Sequence, residues 1–566
     1  MALSVSPPAR HQLTHVLTAF SLGTLCFIRR WYDLEHLQPH GLDYFRAVPS
    51  DSTLLISTIV ASLILAAGFR LAWLWVERHP TPGRRKFAHC VFMLVLIFPI
   101  ESVRRYWITQ TDGFDLGSNL ALGAIICILA GGFVAVLLGN TRVLKPARRV
   151  AVLLTLLFPA LILDFEMNHL GAEPASMFTP RASLPMLPSR GPHAPRFVWL
   201  LFDEMDQRLA FERRPASLQL PELDRLRSES VFASQATQTA MFTAIALPSL
   251  LSGRIFTNAQ ALDAGTLMLT PEGSKERVSW RAENNVFKQA RDLGVNAEVA
   301  GWLHPYCRIL GDEVTGCLAI PSSHSTAALA EELHAAQKGV WMTVADLYWR
   351  QLLNLADMFH SLGDPAADRA RDVQVQRDQQ LQYFQMRDWA YRAAADPQVG
   401  MMFVHFPTPH PFPIYNRRER SFHLLGTEDY FDNLALVDRT LGELRRALEQ
   451  AGLWDQTSIL ITADHGFRPG GWGGHLGWTD ELDRLTEHQA PVKVPFILKL
   501  PGETTGAAID KPFSNVVAGG LGLAVLSGTV STPDQAVKWL DKHAASATKP
   551  DPAAITSVKS DLSPVN

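Results

Sequence analysis

The stretch "SILITADHGFRPGGWGGH", residues 458–475, decides how this chain is read. Its first five residues, Ser458 to Thr462, are mostly apolar and read as a buried strand. The strand runs out at Asp464-His465-Gly466. An acid and an imidazole side by side where a chain leaves a strand can both reach one metal ion. Gly466 permits the tight turn, and the glycines at 470, 471, 473 and 474 let the loop fold back. That path carries His475 toward the same pocket, although as a lone residue it fits a surface loop equally well.

Working outward, the segment before this strand is an amphipathic helix. Phe431, Leu434, Val437, Leu441, Leu444 and Leu448 recur at helical spacing as one apolar stripe, which reads as core. Further strand-like runs are "RFVWLLF" (196–202), "NAEVAGW" (296–302), "GMMFVHF" (400–406) and "VPFILKL" (494–500), with helices between them. That alternation predicts a mostly parallel sheet covered by helices on both faces. Asp203-Glu204 follow the first run, His304 the second and His410 the third. Ligands of open parallel sheets sit at the carboxyl ends of the strands. Four strands therefore deliver acids and imidazoles to one edge, and that set of groups suits zinc or manganese.

A metal site needs a group to activate. "ATQTAMFTAIALPSLLSGR" (236–254) places Thr237, Thr239 and Thr243 in an apolar segment. A divalent metal lowers the pKa of a hydroxyl, and a helix N-terminus favours a phosphoryl group. Pro248 predicts a helix beginning near 247–248, because proline is tolerated in a first turn. Spacing alone leaves the three threonines open, and Thr243 also fits a plain helix cap.

The front of the chain is different. The chain has 566 residues, 47% of them hydrophobic, with a net charge of −3 that argues against a nucleic-acid binder. Five apolar stretches, at about 13–28, 52–77, 88–103, 117–139 and 150–165, approach the ~20 residues that a bilayer span requires. Arg78, Arg84, Arg85 and Lys86 mark one short loop as cytoplasmic, and Arg142, Lys145, Arg148 and Arg149 another. Five spans then leave the N-terminus inside and everything after about residue 167 outside. The expected organisation is an α-helical membrane domain (1–166), a Pro/Ser/Ala-rich linker (167–195), a catalytic α/β/α sandwich (196–530) and a tail (531–566) whose last part is disordered. In an oxidising compartment Cys307 and Cys317 are expected to pair. Residues 340–358 carry aromatic and aliphatic groups that fit either a lipid-facing helix or a core helix.

These units, in this order, resemble the sulfatase-like part of the alkaline phosphatase superfamily. "RFVWLLFDE" is similar to its first metal-binding strand, and "NNVFKQARDLGVNAEVAGWLH" to the helix-strand unit that ends in G-K-W-H. The residues from 430 to 466 resemble its helix-strand-D-H-G unit. Formylglycine-dependent sulfatases carry Cys or Ser followed by x-P-S-R, and that place here is Thr243 with no following arginine, which closes that route. "Thr243-Ala-Ile-Ala-Leu-Pro248" instead looks like the T-A-x-S-x-P of membrane phosphoethanolamine transferases, with Ala246 for the Ser. "HFPTPHPFPIYN" looks like their H-x-x-G-S-H-x-P-x-Y segment, which puts His410 on the active-site His. The missing Gly and Ser imply altered substrate contacts there. Membrane spans ahead of an exported domain also resemble the lipoteichoic acid synthases.

The resemblance implies a nucleophilic Thr243 and a principal Zn²⁺ or Mn²⁺ held by Asp203, Thr243, Asp464 and His465, with Glu204 as the alternative to Asp203. It implies that His410 and His475 hold phosphoryl oxygens, move protons or bind a second metal, and that His304 contacts substrate. The implied reaction transfers a phosphoethanolamine- or phosphoglycerol-type headgroup from a membrane phospholipid to a glycan or lipid acceptor, outside a bacterial inner membrane. Hydrolysis, as by a phosphodiesterase or a sulfatase, is the alternative.

Overall fold

A computed structural model describes residues 7–27, 51–78, 81–95, 131–138, scattered positions between 142 and 162, and residues 183–544 apart from 192, 264–265, 321–337, 361–364, 425–427, 470–477 and 487–491. Eight strands make the main sheet: β1 (Arg196–Phe202), β2 (Val231–Ala233), β3 (Ala297–Trp302), β4 (Gly316–Ile320), β5 (Met401–Phe406), β6 (Thr457–Thr462), β7 (Phe496–Lys499) and β8 (Ala507–Ile509). Their order is β8-β2-β7-β6-β1-β5-β3-β4. All neighbours are parallel except where β7 meets β6 and β2. The five strands expected from the sequence are all present, and β6-β1-β5-β3 form the centre. The missed strands β2, β4 and β8 include both edges, where the runs are short and weakly apolar.

Helices cover both faces. The covering helices are α4 (Thr243–Ser252), α5 (Val286–Asp292), α7 (Pro365–Ala395), α8 (Tyr430–Gln450) and α9 (Ala518–Leu526), while α1 (Pro7–Leu25), α2 (Asp51–Arg78), α3 (Pro82–Val95) and α6 (Val340–His360) lie apart from the sheet. Strand β1 shows why two layers form. Phe197, Trp199 and Leu201 enter one core with residues of α4, α5 and α9, while Val198, Leu200 and Phe202 enter the other with residues of α7 and α8. All six members of the predicted α8 stripe are buried in the second core. Burying such side chains stabilises by roughly 1.5–3 kcal/mol each before entropy is counted. Asp429 starts α8 with a capping box, accepting from Phe431 N at 2.9 Å while its own N–H reaches Asp432 Oδ2 at 2.9 Å.

Three expectations change. The helix with Pro248 begins at Thr243, so the proline lies inside it and not in its first turn. Residues 533–544, placed in the tail, form a helix whose Ala536 and Leu540 are buried in the first core, so the domain runs on to 544. The end of the linker is tied down: Leu187 N–H donates to Asn296 Oδ1 at 2.7 Å. Cys307 and Cys317 form the expected disulfide.

The membrane domain is met only in part. Among the described residues one helix, α2, is long and apolar enough to cross a bilayer, over Thr53–Trp75 with mean hydropathy 2.1. The expected stretch at 13–28 largely coincides with α1, which packs on α2. Arg84, Arg85 and Lys86, expected in a loop, lie near the start of α3. Much of the other three stretches lies outside the described residues.

Candidate active site

Each central strand releases its polar residues at the same edge. Asp203 and Glu204 leave β1, His304 lies just past β3, His410 just past β5, and Asp464 and His465 just past β6. The turn after β1 is clamped from α8. Tyr430 donates its hydroxyl to the Glu204 carbonyl at 2.9 Å and accepts from Asp206 N–H at 2.8 Å. Glu204 itself has φ of +64°, a conformation that costs a non-glycine residue of order 1 kcal/mol or more. Its N–H donates to Asp464 Oδ1 at 3.1 Å, which links the ends of β1 and β6. After β6, Asn515 Nδ2 holds the Ala463 carbonyl at 2.9 Å, and Gly466 N–H donates to Gln238 Oε1 at 2.8 Å.

Thr243 stands first in α4, where backbone N–H groups lack intrahelical partners. Its hydroxyl donates to Asp464 Oδ2 at 2.7 Å and lies 3.3 Å from His465 Nε2. The geometry therefore separates the three threonines: Thr237 Oγ1 is spent on the Phe513 carbonyl at 3.1 Å, Thr239 Oγ1 is buried without a hydrogen-bond partner among the described residues, and Thr243 is the hydroxyl beside Asp464 and His465.

The protons around this point can be placed. His465 Nδ1 faces the Gly466 carbonyl at 2.9 Å, so Nδ1 carries the hydrogen. Burial, and then the nearby Arg468 charge, hold this imidazole well below its ordinary pKa, so Nε2 is an acceptor. That Nε2 lies 3.3 Å from Asp464 Oδ2 and 3.5 Å from Asp203 Oδ1. Among the described residues Asp203 Oδ1 has no hydrogen-bond donor. Burial, and then the adjacent Asp464, raise the Asp203 carboxyl well above its usual range. Among the described residues three potential acceptors thus converge in a buried space, where the hydrogens available are that of the Thr243 hydroxyl and any that the raised Asp203 carboxyl retains. A divalent cation resolves that conflict, and Asp203, Asp464 and His465 stand close enough together to hold one.

The orientation of Asp203 comes from residues that the sequence reading did not single out. Asp203 Oδ2 accepts from Trp302 Nε1 at 3.0 Å and lies 3.2 Å from His405 Nε2, which is itself 3.1 Å from the same indole nitrogen, and the Tyr306 hydroxyl lies 2.9 Å from His405 Nδ1. The indole N–H on Oδ2 turns Oδ1 toward His465. His405 opens the "HFPTPHPFPIYN" segment, but its side chain points into the sheet end, and only the fold brings it to Asp203.

Glu204 belongs to a neighbouring cluster with His410 and Asp203. Its Oε1 accepts from Arg468 N–H at 2.6 Å, and its Oε2 lies 3.6 Å from Arg468 Nη2 and 3.8 Å from His410 Nε2. Burial lifts Glu204 to about 8 against the opposing pull of Arg468. His410 donates Nδ1–H to the Pro411 carbonyl at 2.9 Å and presents Nε2 to Arg468 Nη2 at 3.2 Å. Burial, then Arg468, push it down to about 3, so it is a neutral acceptor. The Arg468 guanidinium therefore already supplies a positive charge to this second cluster. Nothing in the sequence reading pointed to it.

His304 reaches the site indirectly, through a 3.2 Å hydrogen bond from its Nε2 to the Thr243 carbonyl. Burial brings it down to about 3. It supports the backbone of Thr243 instead of facing the acids. His475 and its glycines lie outside the described residues.

Replacing Trp302 with Phe keeps an aromatic ring and removes the indole N–H that Asp203 Oδ2 accepts. Zinc affinity, read by competition with a chelating dye, is expected to weaken about 10–100-fold; an unchanged affinity would show that the indole plays no part in orienting Asp203.

With this geometry in hand, the comparisons with known proteins are informative. Residues 347–519, which include β5, α8, β6, His410, Asp464 and His465, match the Sulfatase family model. No curated protein matches the chain. Among solved structures it is similar to the PsFucS1 sulfatase from Pseudoalteromonas sp. (15% identity, TM-score 0.37, 59% of this chain and 68% of that one). It is also similar to an alkaline phosphatase superfamily protein from Vibrio parahaemolyticus (12%, 0.35, 63% and 73%) and to the lipoteichoic acid synthase LtaP from Listeria monocytogenes (11%, 0.33, 60% and 75%). TM-scores this low carry no argument of their own. Over residues 347–519 the chain is therefore similar to the Sulfatase family.

Proposed function

We propose that this chain is a metal-dependent transferase. It moves a phospholipid headgroup of phosphoethanolamine or phosphoglycerol type through a covalent Thr243 intermediate to an extracytoplasmic glycan or lipid. The observation that carries this reading is Thr243 Oγ1 at a helix N-terminus, 2.7 Å from Asp464 Oδ2 and 3.3 Å from His465 Nε2. A Zn²⁺ or Mn²⁺ ion bound by Asp203, Thr243, Asp464 and His465 supplies the positive charge that lowers the hydroxyl's pKa and offsets charge on the phosphoryl oxygens.

Asp464 Oδ2 holds the proton of Thr243 while Oγ1 forms a bond to phosphorus. The bond from phosphorus to the diacylglycerol oxygen breaks, and that oxygen takes a proton from solvent as diacylglycerol leaves. In the second half an acceptor hydroxyl gives its proton to His410 Nε2, which passes it to solvent, and bonds to phosphorus, and Thr243 Oγ1 leaves with its proton restored by Asp464. His410 Nε2, neutral and 3.2 Å from Arg468 Nη2, is placed to take and return protons once the guanidinium turns its N–H groups to the substrate. Arg468 then binds a phosphoryl oxygen, as a guanidinium does well. His475 is assigned a similar proton-moving role by the family resemblance. In this reading the donor lipid and the enzyme share one membrane with the domain on its outer side, a reading the apolar α2 supports.

The hydrolytic reading shares the first half-reaction and uses water in the second, and the match to the Sulfatase family favours it. Intact-mass spectrometry after incubation with membrane phospholipids separates the two. Transfer predicts a headgroup phosphate added to the chain, lost in Thr243→Ala, with diacylglycerol released and the adduct persisting until an acceptor is added. Free headgroup phosphate released steadily into water would favour hydrolysis, and an adduct that survives in Thr243→Ala would refute the assigned nucleophile. Arg468→Ala removes a charge-assisted contact of roughly 1.5–3 kcal/mol, so kcat/KM should fall about 10–100-fold. Bound metal should be unchanged in that variant; a loss of metal would place Arg468 in metal binding.

A further inference from the structure

α6 belongs to the α/β domain by sequence, yet it packs on α2. Ser57 Oγ lies 3.2 Å from the Val340 carbonyl, and the Tyr348 hydroxyl donates to the Ala61 carbonyl at 2.7 Å. The Phe27 and Tyr348 rings meet edge to face at 5.5 Å. Val344 and Leu347, both 5% exposed, share a buried cluster with Leu54 and Ala61. At 100° per residue these positions define one side of α6.

The opposite side is apolar and open. Trp341 is 72% exposed, Met342 62%, Trp349 60% and Leu352 56%, and with Ala345 they fall within about 100° of arc. Asp346 and Arg350 pair at 3.1 Å along its border. Two bare tryptophans on a stripe of this kind are expensive in water. The exposed Ile56, Leu63 and Ile64 of α2 make apolar surface on the helix against which α6 lies.

We propose that this face of α6 is seated in the outer leaflet of the bilayer, beside α2, so that the domain enters the lipid with a helix of its own. The inference rests on α2 being a membrane span. The apolar window Thr53–Trp75 has 23 residues, and at 1.5 Å each that is about 34 Å, close to the ~30 Å of the hydrocarbon core. Ser57 and Ala61 lie roughly 6 and 12 Å inside the window's outer end. A bilayer that encloses the window therefore meets α6 as well. Tryptophans favour the depth where hydrocarbon gives way to headgroups, and the Arg350 stem is long enough to lift its charge to that level.

The seat also bears on the substrate. After α6 the chain enters α7, and α7 grips the segment that carries His410. Gln379 Nε2 donates to the Pro411 carbonyl at 3.0 Å, Phe412 N–H donates to Gln379 Oε1 at 2.7 Å, and Gln376 Nε2 donates to the Pro413 carbonyl at 2.7 Å. One continuous stretch thus joins the lipid-facing stripe to the His410 side of the site. The substrate class that fits is a lipid taken from the leaflet without leaving it.

The test is photocrosslinking of the full chain in vesicles of phosphatidylethanolamine and phosphatidylglycerol. Benzoylphenylalanine replaces Trp349 or Leu352 on α6, Leu71 on α2, or the exposed Leu293 of the α/β domain, in separate proteins, and lipid-bearing peptides are identified by mass spectrometry. Lipid adducts at 349 and 352, several-fold above the level at 293 and comparable to that at 71, are the expected result. Adducts at 71 with only background at 349 and 352 overturn the seating of α6 and leave the membrane reading of α2 standing. Background at all four positions removes the membrane reading and this inference with it. A crosslink from 349 to another copy of the chain also overturns it, by showing that protein covers the stripe.

Discussion

Two carboxyl groups and a neutral imidazole share a buried space with few hydrogens to divide among them. Asp203 Oδ1 and Asp464 Oδ2 lie 3.5 and 3.3 Å from His465 Nε2, and among the described residues the Thr243 hydroxyl is the donor that reaches Asp464. Buried like charges without compensation cost several kcal/mol. The rest of the domain is organised around holding that arrangement in place. β1 and β6 lie side by side and parallel, so their last residues emerge together. Trp302 fixes the rotation of Asp203 from the far side, with His405 beside it, and Tyr430 clamps the strained turn at Glu204.

A second charge balance sits beside the first. In the cluster of Glu204, His410 and Arg468 the guanidinium lies 3.6 Å from the acid and 3.2 Å from the imidazole. A fixed organic cation in this place is reversible in a way that a metal is not. Its N–H groups can leave Glu204 and His410 for a substrate oxygen and return afterwards. The site thus combines a place for a permanent cation at the nucleophile with a movable one where the substrate's remaining charge would lie.

Much of this was legible in the sequence because strand ends are local features. Each central strand was a run of apolar residues, and the acid or imidazole after it stood in plain sight. Asp203, Glu204, Asp464, His465 and Thr243 were all named before any fold was available, and the structure gathers them at one edge. The supporting residues were not legible. Trp302, Tyr306 and His405 read as ordinary strand and core residues, because their importance lies in contacts across 99 to 202 positions of sequence. Arg468 reads as a loop arginine until the loop is folded onto Glu204. Pro248 misled in the other direction: a rule about first turns put the helix start late, whereas the helix begins at the nucleophile itself. At the edges of the domain the sequence was too quiet. The short strands β2 and β4 and the helix at 533–544 owe their existence to the sheet and core they join.

The central claim is that the acceptors beside Thr243 exist to hold a cation. Inductively coupled plasma mass spectrometry on the purified chain, beside an Asp464→Asn form confirmed as folded by circular dichroism, tests it most directly. The account predicts about one zinc or manganese ion per chain, largely lost in the variant. A folded protein that carries no divalent metal and takes none up from added Zn²⁺ or Mn²⁺ would contradict it.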